Sequence, residues 1–318
     1  MTDALSFTGE RFHPDLAGEM WAEHWHRYHF VLPLIKGKSV LDVASGEGYG
    51  SALMATVASS VNGVDVSSAA VAHAAQAYAD RKNLQFTEGS CAKLPFADAS
   101  FDVVVSFETI EHIFEQAEFL DEIKRVLKSA GLLIISSPNR AEYSDKRGYK
   151  NEFHVKELDR PELAALIDAR FKHSRWFSQR NAFVSLIVPD VCGPHPASAF
   201  AGESLTISKS TPDAIAPPLD ALYFLVLATS DDGAADQLTS RLSVFADLEE
   251  WAYNDYRKIY QATQYYAKRE AELLARCAQL EQQLAALKTG GTEVPQTAST
   301  SPKEQESWLT RVSKRLGS

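Results

Sequence analysis

Between Ser39 and Ser137 four short apolar runs recur: Ser39-Val40-Leu41-Asp42-Val43, Ser60-Val61-Asn62-Gly63-Val64-Asp65, Phe101-Asp102-Val103-Val104-Val105-Ser106 and Leu132-Leu133-Ile134-Ile135-Ser136. Each is rich in Val, Ile and Leu and almost unbroken, the pattern of parallel strands covered on both faces. Helical patterns lie between them, over residues 69–79 and 119–127, the second closed by Gly131. Strands alternating with helices predict a doubly wound α/β domain. Further on, a helix is expected to open at Asp159, with Pro161 in its first turn. Two more strands are expected at 172–177 and 223–228, separated by a Pro- and Ser-containing stretch, 182–218, that reads as a substrate-side insertion.

From Leu238 the period changes. Alternate steps of four and three residues trace a seam from Leu238 to Leu287, broken only by Glu249, Thr263 and Glu270. It lasts about seven heptads without Pro or Gly, which predicts a coiled coil over residues 236–288. A stripe so narrow and long favours burial against another copy through 238–287, a homo-oligomer, over burial against the chain's own α/β domain. Residues 289–306, rich in Gly, Thr, Ser and Pro, read as a flexible linker. In 307–318, Trp308, Leu309, Val312 and Leu316 oppose Arg311, Lys314 and Arg315, a basic amphipathic tail suited to an anionic membrane surface or a protein partner. Residues 1–36 then form an N-terminal lid segment and 37–235 the α/β domain.

The whole chain has 318 residues, 45% hydrophobic, with 32 Lys and Arg against 42 Asp and Glu, a formal charge of −10. This apolar content excludes disorder throughout. The acidic balance opposes binding through phosphate contacts and disfavours nucleic acid as a partner. Cys91, Cys192 and Cys277 are too scattered for a paired-ligand zinc site or a disulfide framework. With no leader-like start and no stretch near 20 apolar residues, a cytoplasmic chain without a transmembrane span is expected.

The chemistry concentrates at the ends of the strands. The first strand runs into Asp42-Val43-Ala44-Ser45-Gly46-Glu47-Gly48-Tyr49-Gly50, a glycine-bearing turn that lets backbone approach a ligand. Asp65, ending the second strand, can accept hydrogen bonds from a ribose diol. Asp42 close to the turn would repel a pyrophosphate, which favours a nucleoside cofactor with a cationic centre.

This segment resembles the first motif of class I S-adenosylmethionine-dependent methyltransferases. The order of later pieces is similar too: Asp65 at the ribose position, Glu88-Gly89-Ser90-Cys91 as the adenine turn, and Leu94-Pro95-Phe96 through Val104 entering the next strand. The resemblance covers roughly Arg11 to Thr229 and implies a seven-stranded Rossmann-like sheet. It also implies S-adenosyl-L-methionine contacts from Asp42, Ala44, Ser45, Gly46, Gly48, Asp65, Val66, Ser90, Cys91 and Phe107. Ala44 stands where the family usually has its first glycine, and Ser90 where it often has an acid. In this fold the N-terminal segment usually covers the cofactor. His24, Arg27 and Tyr28 share a helix face, so Arg27 and Tyr28 are placed to reach the methionyl carboxylate or the acceptor. The alternative is a lid packed by its aromatics, with Glu23 and Arg27 paired in solvent.

After the Phe101–Ser106 strand comes Glu108-Thr109-Ile110-Glu111-His112, where one helical turn would put Glu108, Glu111 and His112 on one face. An oxygen-rich face with one imidazole suits Mg²⁺ or Mn²⁺. The pattern resembles that of metal-dependent quinone O-methyltransferases and of enzymes that methylate the terminal ribose of small RNAs. In the latter a later histidine completes the site, and His154 falls in comparable order. A Glu-His pair here is also common in methyltransferases without a metal, where the histidine faces substrate. The whole segment is most similar to methyltransferases of bacterial surface-polysaccharide assembly, some of which add a coiled coil and a basic membrane-targeting end. That resemblance implies a sugar or glycan hydroxyl as acceptor, methylated at the inner face of the membrane; such a hydroxyl is a poor acid, which assigns His112 as general base, or as ligand if a metal binds the diol, with Glu108 and Glu111 orienting His112 or the acceptor. The competing readings are a quinone, lipid or RNA-end acceptor, and a cofactor-binding coiled-coil adaptor.

Overall fold

The computed structural model describes residues 19–182, 206–208, 211–216, 220–235, 238, 243–245 and 251–289. Two compact units divide between Ala252 and Tyr253. The first runs through α1 (Glu19–Ile35), β1 (Ser39–Val43), α2 (Tyr49–Met54), β2 (Ser60–Asp65), α3 (Ser68–Ala77), β3 (Leu84–Glu88) and β4 (Phe101–Ser106). A 3₁₀ turn, Ile110–His112, leads to α4 (Gln116–Val126), β5 (Leu127–Pro138), a π-helical segment (Ala141–Asp145), α5 (Arg160–Asp168) and β6 (His173–Gln179). Then come β7 (Thr206–Ser208), β8 (Thr211–Ala216), β9 (Tyr223–Thr229) and α6 (Asp232–Ala235).

Seven strands make one sheet in the order β3-β2-β1-β4-β5-β9-β6. Strands β1 to β5 are parallel, and β9 runs antiparallel between β5 and β6. Both faces are apolar because both are covered. In β4, Val103 and Val105 join the core under α1 and α2, while Phe101 and Val104 join the core under α4 and α5. That is why β4 reads as an unbroken run. β3 lies at the sheet edge and alternates, Leu84-Gln85-Phe86-Thr87-Glu88, so the apolar-run pattern passes over it. The strand order reverses between β1 and β4, and ligands in such sheets bind beyond the carboxyl ends of the strands at that point.

Local signals place several boundaries. Asp159 caps α5: its side chain accepts from the Glu162 amide at 3.0 Å and Glu162 returns to the Asp159 amide at 2.9 Å, with Pro161 in the first turn. Gly131 does not close α4. The helix ends at Val126 and passes straight into β5, where residues 128–131 form an excursion between the Phe101–Leu127 and Val103–Leu132 pairs. A Cβ at Gly131 would sit 2.8 Å from the Lys128 carbonyl oxygen, so glycine is needed there for close backbone approach.

Within the expected insertion, β7 and β8 pair antiparallel; its residues 183–205, 209–210 and 217–218, lid residues 1–18, the linker from 290 onward and the tail at 307–318 lie outside the described residues. The second unit carries α7 (Trp251–Thr289). This helix starts later than the seam. Leu238 is buried in the core of the first unit, and Phe245 stacks on His26 at 5.6 Å between ring centroids, so these two seam positions pack on the α/β domain instead. Among the described residues no helix is long and apolar enough to cross a membrane.

Gly50 opens α2 against the Tyr28 ring, where an added Cβ would lie 2.0 Å from the nearest ring carbon. Tyr28 is buried edge-on to Tyr49 and Phe107 and has no room to retreat. Gly50→Ala is expected to lower the unfolding free energy by roughly 1–3 kcal/mol through overpacking, measured by urea denaturation.

Candidate active site

A cleft of about 400 Å³ opens beyond the carboxyl ends of β1, β2, β3 and β4, roofed by α1 and by the segment that follows β5. Its floor is the turn after β1, in which Ala44, Gly46 and Gly48 all take positive φ, at 61°, 53° and 79°. Gly48 also needs its missing side chain, since a Cβ would lie 2.5 Å from the Phe86 ring. Ala44 has no such freedom and holds a left-handed conformation that costs an alanine about 1–2 kcal/mol. The turn is tied down by Asp65, whose carboxylate accepts from the Gly46 amide and from the Ser67 amide, each at 2.9 Å.

Ser45, Gly46, Asp65, Val66, Cys91, Phe107 and Tyr28 line the cleft together with Ala44, as the cofactor assignment expects. The other expected cofactor residues do not. Asp42 is buried under the turn, accepts from the Ser51 hydroxyl at 2.6 Å, and is pushed up to about pH 7 by burial. Gly48 packs against Phe86 behind the loop. Ser90 is exposed and accepts from the Ala92 amide, capping its own turn. Arg27 is the largest correction. Its guanidinium is fully buried behind the wall, donating from Nε to Gln179 Oε1 at 2.7 Å, lying 4.5 Å over the Tyr223 ring and 3.6 Å from Glu108 Oε1. The lining groups from α1 are instead Met20, Glu23, His24 and Tyr28.

Glu23 is the functional candidate that sequence reasoning passed over, because an i, i+4 pair with Arg27 reads as a solvated salt bridge. Both residues are buried. Burial pushes the Glu23 carboxyl up to about 7 despite the opposing charge of Arg27. The nearby His24 imidazole is driven well below its ordinary range, by burial first and by Arg27 second, and shares a hydrogen bond with the Tyr49 hydroxyl at 2.8 Å.

The Glu108 to His112 segment divides. Glu108 takes φ 49° and so stands outside the 3₁₀ turn. Its carboxylate accepts from the Ser136 hydroxyl at 2.6 Å and faces Arg27. Glu111 is buried, and burial with the neighbouring Glu108 charge pushes its carboxyl well above the usual range. The Nδ1 of His112 lies 3.0 Å from the Phe153 carbonyl oxygen. A carbonyl only accepts, so Nδ1 carries the proton and Nε2 keeps its lone pair, 4.0 Å from Glu111 Oε1. His154 donates from Nδ1 to Glu157 at 2.5 Å and accepts at Nε2 from the Asn151 amide at 3.0 Å.

Of the four metal candidates, Glu111, His112 and His154 come within 4.8 Å of one another, and Glu108 does not join them. One carboxyl and two imidazoles are not the oxygen-rich set expected for Mg²⁺, and Nε2 of His154 is already engaged.

Residues 41–135 match a family model described as a methyltransferase domain. The matched residues run from β1 to β5 of the seven-stranded sheet. The chain is 43% identical over 174 residues to a protein of Mycobacterium tuberculosis described as a probable S-adenosylmethionine-dependent methyltransferase, covering 52% of this chain and 61% of that one. A similarly described protein of Mycolicibacterium smegmatis is 41% identical over 174 residues, covering 53% and 65%. A demethylmenaquinone methyltransferase of Chlorobaculum parvum is 38% identical over 100 residues, covering 31% and 40%. The chain thus spans less than two thirds of the length of these relatives.

Because the folded Glu23 carboxyl titrates near 7 and the unfolded one near 4.5, the folded state holds the extra proton between those values. Its contribution to stability therefore falls as pH rises from 4.5 through 7. Glu23→Gln is expected to flatten that part of the stability profile, seen as a smaller drop in denaturation midpoint between pH 5 and pH 7.5. At the turn, Ala44→Gly is expected to raise the unfolding free energy by roughly 0.5–1 kcal/mol, as relief of the left-handed alanine outweighs the entropy of the added glycine.

Proposed function

We propose that the chain is an S-adenosylmethionine-dependent O-methyltransferase whose acceptor is a sugar or glycan hydroxyl in cell-surface polysaccharide biosynthesis. The observation that carries it is the imidazole of His112, which lines the cleft and has its Nδ1 3.0 Å from the Phe153 carbonyl oxygen, so that Nε2 is the acceptor nitrogen of the neutral ring. A sugar hydroxyl is a poor acid and needs a base of this kind.

The cleft suits the cofactor. The Ser45 hydroxyl is buried in its wall with no hydrogen-bond partner among the described residues, the turn at Ala44 to Gly48 offers backbone to a close ligand, and Asp65 faces the space with lone pairs left over. Ser45, Gly46, Asp65, Val66, Cys91 and Phe107 would hold S-adenosyl-L-methionine, which supplies an activated methyl group when bound. Tyr28 closes over the turn from α1. His112 takes the hydroxyl proton at Nε2. Glu108, paired with Arg27, and Glu111 orient His112 or the acceptor. Holding acceptor and methyl in line supplies most of the remaining acceleration.

The similarity to a demethylmenaquinone methyltransferase supports a quinone acceptor as the second reading. An RNA end is disfavoured by the charge of −10. A divalent ion at Glu111, His112 and His154 would require Asn151 to release His154, and Mn²⁺ fits that mixed donor set better than Mg²⁺. Homo-oligomerisation through the heptad helix, with the basic tail on the inner face of the membrane or on a protein partner, completes the proposal; the divisions proposed at 1–36, 37–235, 289–306 and 307–318 are kept, and the coiled coil is confined to α7.

Transfer of labelled methyl into cell extract, separated into glycan, lipid, RNA and small-molecule fractions with and without chelator, tests the reading. Label is expected in glycan and to survive chelation. Label in the quinone-bearing lipid fraction would replace the acceptor, and binding of cofactor with no label anywhere would favour the adaptor reading. His112→Ala is expected to lower turnover about 10²–10⁴-fold with cofactor affinity kept; unchanged turnover would remove His112 from the mechanism.

A further inference from the structure

Helix α7 leaves its apolar side uncovered along its described length. Tyr256, Ile259, Leu273, Leu280, Leu284 and Leu287 are 48–69% exposed, and Leu recurs at one heptad position, 273, 280 and 287. In the heptad these leucines take position d, with Tyr256, Thr263, Glu270, Cys277 and Leu284 at a. Leu at d is one half of the two-stranded pattern, whose other half is β-branched residues at a, here Thr263 alone. The flanking g and e positions carry the information on direction: Asp255, Ala262, Arg269, Arg276 and Gln283 at g, and Tyr260, Ala267, Leu274, Glu281 and Lys288 at e.

We propose that α7 pairs with α7 of a second copy of this chain as a parallel, in-register, two-stranded coiled coil, with the two Cys277 side chains facing each other across the seam. In that arrangement g meets the following e of the partner helix, so Arg276 meets Glu281 twice by symmetry. The antiparallel alternative with full overlap makes g meet g and sets Arg269 against Arg276 twice, like charge on like charge. Glu270 then sits at a single a layer beside Arg269 of the other strand, a polar layer of the kind that fixes register at a cost in stability. Cys277 separates the two directions sharply. Its thiol is free and exposed on α7. Parallel pairing brings the two thiols into bridging reach, whereas the antiparallel pair puts Cys277 opposite Tyr266 and sets the thiols roughly 16 Å apart along the axis.

The test uses the full chain carrying Cys91→Ser and Cys192→Ser, so that Cys277 is the sole thiol, oxidised with diamide, which takes the two thiol hydrogens as the disulfide forms. A covalent two-chain species on a non-reducing gel is expected, lost on adding Cys277→Ser, and sedimentation of the unoxidised protein is expected to give a two-chain mass. A single-chain or three-chain mass would overturn the proposal. So would a two-chain mass in which Cys277 bridges only after Tyr266→Cys is added, the signature of antiparallel pairing. Glu270→Leu is expected to lower the dimer dissociation constant at least tenfold, and an unchanged constant would place Glu270 outside the seam.

Discussion

One buried guanidinium organises the α/β unit around its cleft. Arg27 projects from α1, donates to Gln179 at the end of β6, stacks over Tyr223 at the start of β9 and faces Glu108 beyond β4. A charge with 2% of its surface exposed must be compensated where it lies. The compensation comes from elements far apart in sequence, so satisfying Arg27 docks the lid helix onto the sheet. It also sets the charge pattern of the cleft: Glu108 is the carboxylate held closest to Arg27, while burial first and the Glu108 charge second push the Glu111 carboxyl up.

The two carboxyls sit in different surroundings. Glu108 accepts from the Ser136 hydroxyl and faces Arg27, whereas Glu111 is buried and its carboxyl is pushed up by burial and by the Glu108 charge. Together with Glu23 they give the cleft three lining carboxyl groups.

The sheet was largely legible in the residues because its central strands are covered on both faces and write their position as unbroken Val and Ile runs. Edge strand β3 alternates and was not legible that way. The β1 turn and Asp65 were legible because glycine and acid are required there by backbone geometry. Misreadings share a physical cause. Periodicity assumes a regular element, and Glu108 leaves the turn at φ 49° while Leu238 and Phe245 leave the heptad before α7 begins. Arg27 and Asp42 were misplaced because residue type reports charge and not depth. Burial by partners distant in sequence is written in no local pattern.

The carbonyl of Phe153 that holds the His112 proton belongs to a loop anchored to the 3₁₀ turn by the Val155 and Lys156 amides, both donating to the Glu111 carbonyl oxygen. The choice of tautomer is therefore made by a group that does not titrate. Only withdrawal of the loop would exchange the two nitrogens, so which of them donates and which accepts is a property of the chain's conformation.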